Sequence, residues 1–190
     1  MLQPKLLTDV ISILNENQID YMVTGSVVSS FQGEPRTTHD VDIVINITSK
    51  AIYALIEAFP PPKYYLMEKS IKEAVAHQSM FNLIDSEAGD KIDFWILTNE
   101  PFDISRFDRK YEENVFGFKM KICTPEDTIL AKLRWAKVSG GSEKQFNDAL
   151  RVYEVQYGIL DLKYLEVWAS RLQINDLWKQ VRKEANPIEE

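Results

Sequence analysis

The sequence is poor in the residue types that mark several common classes of protein. Its 190 residues include one cysteine, two histidines and seven glycines. Cys123 alone cannot form an intramolecular disulfide, and no cluster of cysteine and histidine is present that would hold zinc. No apolar run approaches the roughly 18 residues of a transmembrane helix. We therefore expect a cytoplasmic protein that has no membrane partner.

Positive charge is also scarce, and it is unevenly distributed. The chain carries 22 basic and 29 acidic residues, a formal net charge of −7, and residues 1–100 hold only 7 of the basic residues against 14 acidic ones. This balance argues against a generally basic surface for nucleic acid. A hydrophobic content of 45% is ordinary for a globular protein. The acidic front half is suited to concentrate cations.

The order of apolar patterns predicts an α+β protein with a helical C-terminal part. We place an α/β core in residues 1–123 and a helical segment packed on it in residues 124–190. The front part is predicted to contain helices over 4–17, after Gly25, from 48 or 49, and near 70–76, and strands over 19–23, 40–47, 80–84, 91–97 and 114–123. A capping sequence at Thr124 precedes the predicted helices 125–138, 142–157, 161–171 and 175–185.

Asp40 and Asp42 are the most informative pair in the chain. Residues two apart on a strand point to the same face, so the apolar strand 40–47 would carry two neighbouring carboxylates. Such a pair is costly unless a cation lies between the two groups, and oxygen-only ligands favour Mg²⁺ or Mn²⁺. The alternative is that both residues simply decorate a solvent-facing strand or cap a turn.

Two further motifs could contribute to the same site as Asp40 and Asp42. Asp93 lies in the strand-like run KIDFWIL, opposite the predicted core-facing residues, where an adjacent strand would bring it beside the pair. Gly25 and Ser26 lie between a strand and the start of a helix, where a backbone without a side chain and free amide groups favour phosphate binding. Each motif alone has low specificity. A Gly-Ser turn most often marks the start of an ordinary N-capped helix.

The ordered set of motifs resembles the nucleotidyltransferase fold superfamily, the polymerase-β-like group. The matching segments are MVTGSVVSSFQGEPRTTHDVDIVI and KIDFW, and CTPEDTILAKLRWAK is similar to the helix that follows the catalytic sheet. The similarity covers residues 19–150 and is greatest with minimal bacterial nucleotidyltransferases and AbiEii-like toxin enzymes. The resemblance implies a mixed β-sheet flanked by helices and followed by a helical segment.

The resemblance also implies a set of metal ligands and catalytic groups. Asp40 and Asp42 would bind Mg²⁺ or Mn²⁺ that bridges the phosphates of a nucleoside triphosphate. Asp93 would complete the metal site and help to deprotonate a hydroxyl acceptor, which could be a small molecule, an RNA or a protein side chain.

Basic and small residues would bind the triphosphate, ATP or another NTP. Gly25 and Ser26 would hold the β- and γ-phosphates, and Lys132 would supply a point charge to them. Arg36 would clamp a phosphate or fix the aspartate loop; a surface ion pair with Glu34 or another neighbour is an equal alternative.

Three functional classes remain open from the sequence. The first is a metal-dependent nucleotidyltransferase, and the second is a non-catalytic nucleotide-binding module or one component of a toxin–antitoxin pair with its cognate partner. A metal-dependent phosphatase or nuclease is the third. We expect His39 to have no catalytic role, and we expect the tryptophans to be core or helix-packing residues, Trp135 included.

Overall fold

The computed structural model describes residues 4–36, 38, 40–115 and 117–187, with the backbone alone at positions 4, 49 and 50. His39 lies outside these residues. The helices are α1 (Pro4–Glu16), α2 (Gly25–Gln32), α3 (Ser49–Ala58), α4 (Glu68–His77), α5 (Pro101–Asp108), α6 (Pro125–Val138), α7 (Glu143–Gln156), α8 (Leu162–Arg171) and α9 (Asn175–Glu184), with a 3-10 turn at Tyr157–Ile159. The strands are β1 (Asp20–Thr24), β2 (Asp40–Asn46), β3 (Tyr64–Tyr65), β4 (Met80–Asp85), β5 (Lys91–Ile96), β6 (Tyr111–Val115) and β7 (Phe118–Ile122).

All the strands of the described residues belong to one mixed sheet. Its order is β3-β4-β5-β2-β1-β7-β6. The β2–β5 and β1–β7 pairs are parallel, and the other neighbouring pairs are antiparallel. The fold is therefore α+β, with a mixed sheet and helices, as expected.

Strand β2 shows how the sheet separates an apolar face from a polar one. Val41, Ile43 and Ile45 are buried on one face; on the other, Asp40 is exposed and Asp42 half-buried, and Val44 beyond them is buried. Alternation of this kind is what a half-buried strand produces. The polar face of β2 is consequently the place where charged groups can meet a ligand.

The C-terminal helices begin where their capping residues predict. The side-chain oxygens of Thr124, Ser142 and Asp161 accept hydrogen bonds from backbone N–H groups in the first turns of α6, α7 and α8. These bonds satisfy amides that have no partner inside the helix. The observed helix bounds agree with the predicted ones to within one residue.

The single strand predicted over residues 114–123 is wrong. Two antiparallel strands, β6 and β7, occupy this region and meet at a turn in which Gly117 has a φ of +86°. Glycine adopts such a conformation without a Cβ clash, and it marks the reversal inside an otherwise apolar run. Helix α5, which begins at Pro101, and the two-residue strand β3 have no counterpart among the predicted elements.

The expectation for Trp135 is also wrong. Trp168 and Trp178 are buried, but Trp135 is 52% exposed. Helix α6 turns Leu133 and Ala136 into the interior, and Trp135 lies on its outer side.

The described chain divides into two compact units. One contains the chain up to Val27 and the stretch between Arg36 and Cys123, which includes the sheet. The other contains Val28–Arg36 and the chain from Cys123 onward. The second unit thus combines the end of α2 with the C-terminal helices.

No helix in the described part of the chain is long and apolar enough to cross a membrane.

Candidate active site

The register of two parallel strands brings the predicted carboxylates together. Asp42 of β2 lies directly opposite Asp93 of β5, and Asp40 lies opposite Lys91. Residues paired in this way share a face of the sheet, so all three aspartates point to the same side. The structure thus places Asp93 beside Asp42, as the sequence analysis expects. We call Asp40, Asp42 and Asp93 the carboxylate face.

Asp42 is held between a glycine and an indole. Gly25 directly follows β1 at a φ of +72°, and a Cβ atom added to it would lie 2.0 Å from Asp42 Oδ2. On the other side, Trp95 Nε1 donates a hydrogen bond of 3.0 Å to Asp42 Oδ1. Only glycine fits this position, because any side chain would displace the carboxylate. Ser26 follows in the first turn of α2 and is half-buried.

Asp93 is engaged through both of its oxygens. Asn82, which lies opposite it on β4, donates a hydrogen bond from Nδ2 to Asp93 Oδ1. Lys91 Nζ lies 2.9 Å from Asp93 Oδ2 and 3.7 Å from Asp40 Oδ1. The hydrogen bond to Asp93 and the attraction of both carboxylates raise the pKa of Lys91, although partial burial opposes the rise.

The carboxylate face has the right chemistry for a divalent cation, but it does not form a closed metal site. Carboxylate oxygens are the ligands that Mg²⁺ and Mn²⁺ prefer. Within the described residues, however, no group of three or more His, Cys, Asp or Glu side chains is arranged to hold a metal ion. The ammonium of Lys91 lies between Asp40 and Asp93 instead.

The two basic residues predicted to bind phosphate meet in the second unit, on one acid. Arg36 donates from Nε and Nη2 to the two oxygens of Asp148, at 3.0 and 2.8 Å. Lys132 Nζ lies 2.8 Å from Asp148 Oδ2, and the Lys132 side chain is only 6% exposed. We call Arg36, Lys132 and Asp148 the Asp148 cluster. Glu34, the alternative partner considered for Arg36, instead pairs with Arg151.

The Asp148 cluster keeps its acid ionised. Burial by itself would raise the pKa of Asp148, but the hydrogen bonds and charges of Arg36 and Lys132 outweigh it and hold the pKa below the usual value. A carboxylate that accepts several charged hydrogen bonds is expected to behave in this way. With two cations and one anion, the three side chains have a formal net charge of +1.

A cavity of about 250 Å³ adjoins β4 in the first unit. Met80, Asn82 and Ile84 line it from alternate positions of β4, the positions that share a face with Asp93. Tyr65, Met67, Ser70, Glu73, Ala74, Ser79 and Phe81 complete the lining. Asn82 therefore belongs both to the cavity wall and to the hydrogen bond with Asp93.

Sequence reasoning missed three side chains around the carboxylates: Lys91, Asn82 and Trp95. Lys91 and Trp95 lie two residues on either side of Asp93, so strand periodicity alone puts all three on one face. That signal was available in the run KIDFWIL. Asn82 carried no signal, because its position depends on the pairing of β4 with β5.

Comparisons with known proteins find structural likeness only. No protein-family model and no curated protein matches the sequence. The structure is similar to that of ANT(2'')-Ia in complex with adenylyl-2''-tobramycin, with a TM-score of 0.61 and 11% identity over 90% of this chain and 97% of the other. It is also similar to lincomycin-bound LnuA, a lincosamide antibiotic adenylyltransferase, with a TM-score of 0.54 and 15% identity over 81% of this chain and 98% of that one.

A third solved structure resembles the chain over almost its full length. It is an antigenic nucleotidyltransferase-like protein from Paracoccidioides brasiliensis, with a TM-score of 0.52 and 14% identity over 97% of this chain and 93% of that one. At these identities the likeness shows the fold, which is nucleotidyltransferase-like.

Proposed function

We propose that this protein is a nucleotidyltransferase that moves a nucleoside monophosphate from an NTP to a hydroxyl acceptor. The observation that carries the proposal is the register of β2 and β5, which sets Asp42 opposite Asp93 with Asp40 on the same face. The nucleotidyltransferase-like fold of the similar structures supports it.

Gly25 and Ser26 are suited to bind the triphosphate. The absence of a side chain at Gly25 lets its backbone lie directly against the Asp42 carboxylate. Ser26, in the first turn of α2, can add its hydroxyl to the positive end of the helix dipole. We therefore assign both residues to the β- and γ-phosphates.

Asp40, Asp42 and Asp93 would hold Mg²⁺ or Mn²⁺, because all three provide hard oxygen ligands. When bound, the ion would neutralise charge on the phosphates and stabilise the attacking and leaving oxygens.

The protein's own groups have defined roles in the transfer. The acceptor oxygen forms a new bond to the α-phosphorus, the bond to the bridging oxygen of pyrophosphate breaks, and the acceptor proton passes to Asp93. Asn82 orients Asp93 by its hydrogen bond. Positioning of this kind accounts for a large part of the rate gain in phosphoryl-group chemistry.

Arg36 and Lys132 stay predicted phosphate-binding residues within the second unit, where both contact Asp148. Asp148 fixes the positions of the Arg36 guanidinium and the Lys132 ammonium. Arg36 would bind a phosphate through its planar guanidinium and Lys132 as a point charge.

The acceptor is proposed to bind in the cavity beside β4. The cavity contains Asn82, which contacts Asp93, and so it leads to the group that would take the acceptor proton. Its wall combines apolar groups such as Met67 and Met80 with the acid Glu73. Small molecules, RNA ends and protein side chains all remain candidate acceptors.

One observation favours a second candidate function, a non-catalytic nucleotide-binding module. Lys91 occupies the space between Asp40 and Asp93, which a catalytic metal would need. In such a module, or in one component of a toxin–antitoxin pair, nucleotide would bind without transfer.

The test is to incubate the full chain with each α-labelled NTP and Mg²⁺, together with the small-molecule, RNA or protein fraction of a cell extract. We expect pyrophosphate release and label in one fraction, which also identifies the acceptor class. Label that stays in the NTP, with nucleotide still bound, would support the binding module instead. Label released as free phosphate or as cleaved RNA would point to a phosphatase or a nuclease.

A further inference from the structure

The side chain of Lys91 supplies the carboxylate face with a positive charge from the protein itself. It precedes Asp93 by two residues on β5 and lies opposite Asp40 on β2. Its Nζ is 2.9 Å from Asp93 Oδ2 and 3.7 Å from Asp40 Oδ1, and its side chain is 35% exposed. The ammonium therefore bridges two of the three acids.

The bridge uses the atoms that a metal ion would need. Asp93 Oδ1 accepts the amide hydrogen bond of Asn82, so Oδ2 is its remaining oxygen, and Lys91 binds there. Asp93 is also largely buried, with a side chain 12% exposed, so it has little freedom to turn toward solvent. Consistent with this arrangement, no three-acid group that could hold a metal occurs in the described residues.

We propose that Lys91 is a tethered counter-cation that competes with the divalent metal for Asp40 and Asp93, so that metal binds tightly only together with nucleotide. This inference rests on the proposed function. A polyphosphate at the site offers the ammonium another anionic partner, and the flexible four-carbon stem of lysine allows the movement. The bridging position then becomes accessible to the metal.

The competition follows from charge and geometry. An ammonium and a divalent cation repel each other, so an ammonium at these carboxylate oxygens disfavours metal binding there. Free metal must therefore weaken or displace the Lys91 ion pairs as it binds. A partly exposed ion pair of this kind is expected to weaken metal binding by roughly tenfold.

The test measures Mn²⁺ binding to the full chain by titration calorimetry, first without nucleotide. We expect Lys91→Met to bind Mn²⁺ about tenfold more tightly than the wild type, and Lys91→Arg, which keeps the charge, to bind as weakly as the wild type. Lys121→Met is the matched control, because Lys121 also lies on the sheet, is 33% exposed and pairs at 2.9 Å with one acid, Asp20. It should leave Mn²⁺ binding unchanged.

The titration is then repeated with a non-hydrolysable NTP analogue. Wild-type affinity for Mn²⁺ should rise toward that of Lys91→Met, and by reciprocity Mn²⁺ should raise the affinity for the analogue by the same factor. Should Lys91→Met fold poorly, Lys91→Gln serves in its place.

The titrations distinguish a failure of this inference from a failure of the proposed function. Equal or weaker Mn²⁺ binding by both Lys91→Met and Lys91→Gln, in a protein that still transfers label, overturns this inference alone. Absence of Mn²⁺ binding by every variant, with and without the analogue, together with absence of transfer, overturns the proposed function as well.

Discussion

Two charged clusters in this protein combine the same kinds of residue in opposite ratios. On the carboxylate face the ammonium of Lys91 bridges Asp40 and Asp93, and Asp42 accepts a hydrogen bond from Trp95. In the Asp148 cluster, within the other unit, two cations share one acid. Counted by formal charge, acids outnumber bases in the first arrangement and bases outnumber acids in the second.

The clusters also differ in burial, and this difference separates function from stability. Asp40 has a side chain 63% exposed, whereas the Asp148 and Lys132 side chains are 10% and 6% exposed. Breaking a buried pair leaves an uncompensated charge, and breaking an exposed one does not. Asp93, with a side chain 12% exposed, is as buried as Asp148, so the contrast applies to Asp40. We therefore expect a mutation at Asp40 to affect transfer with little effect on stability, and mutations at Asp148 to affect folding.

The largest expected effect is that of Asp42→Asn on transfer. Removing this charge should lower the rate by a factor of ~10³ or more, the scale of a lost electrostatic stabiliser. Label transfer from α-labelled NTP measures it. Asp20→Asn, an acid of the same sheet outside the carboxylate face, is the control and should keep wild-type activity. If Asp42→Asn retained most of its activity, the carboxylate face would not be catalytic.

Asp148→Asn should chiefly destabilise the fold. Loss of the buried charge that Arg36 and Lys132 share should lower the free energy of unfolding by about 3–5 kcal/mol, measured by urea titration at pH 7. Asp20→Asn is again the control: Asp20 also binds two lysines, but its side chain is 44% exposed, and its loss should cost about 1 kcal/mol or less. Equal losses in the two variants would contradict the argument from burial.

The ion pairs of Asp148 also predict that its contribution to the free energy of unfolding depends on pH. The pKa of Asp148 is lowered in the folded state, so its stabilising contribution is complete above the unfolded value of about 4 and is lost as the pH falls through the lower folded value. The difference in unfolding free energy between wild type and Asp148→Asn should therefore be constant from pH 7 to about 5 and shrink below about 4. A difference that stays constant down to pH 2 would show that charge is not its source.

Gly25→Ala should disturb the carboxylate face with a smaller effect. The new Cβ would lie 2.0 Å from Asp42 Oδ2 and would force the carboxylate to move. A displacement of about 1 Å is expected to lower transfer by roughly 10²-fold. Gly89→Ala is a matched control, with a φ of +74° against +72° but no atom within 4 Å of the added Cβ. Similar activity loss in both variants would mean that backbone strain, and not contact with Asp42, is responsible.

Trp135→Ala should have the smallest effect. The side chain is 52% exposed on α6, the helix that turns Lys132 into the Asp148 cluster. We expect the free energy of unfolding to fall by about 1 kcal/mol or less. Trp178→Ala, which removes a buried ring, should cost about 3–5 kcal/mol in the same urea titration. A comparable loss at Trp135 would show that α6 is oriented differently.

Much of the fold and the core of the candidate site could be predicted from local patterns. The alternation of β2 predicted the side on which Asp40 and Asp42 lie, and the capping sequence at Thr124 predicted the start of α6. Asp93 was found because strand periodicity separates it from Phe94 and Ile92.

The rest depends on contacts that a local pattern does not contain. The bridge from Lys91 to Asp40 exists only because β2 and β5 pair in one register. Lys132 is buried because Asp148, 16 residues later, neutralises it. Helix periodicity left the sides of α6 ambiguous, since the helix buries polar as well as apolar residues, and Trp135 was placed on the wrong side.

The pairing of Asp42 with Asp93 has a consequence for how this protein can diverge. Side chains alternate along a strand, so inserting or deleting one residue within β2 or β5 would send the aspartate of that strand to the opposite side of the sheet. A change of one residue has no milder intermediate, because it moves the acid from the polar face into the apolar interior in a single step. In related proteins we therefore expect insertions and deletions to lie in the turns. Within β2 and β5 we expect them to change the length only by an even number of residues.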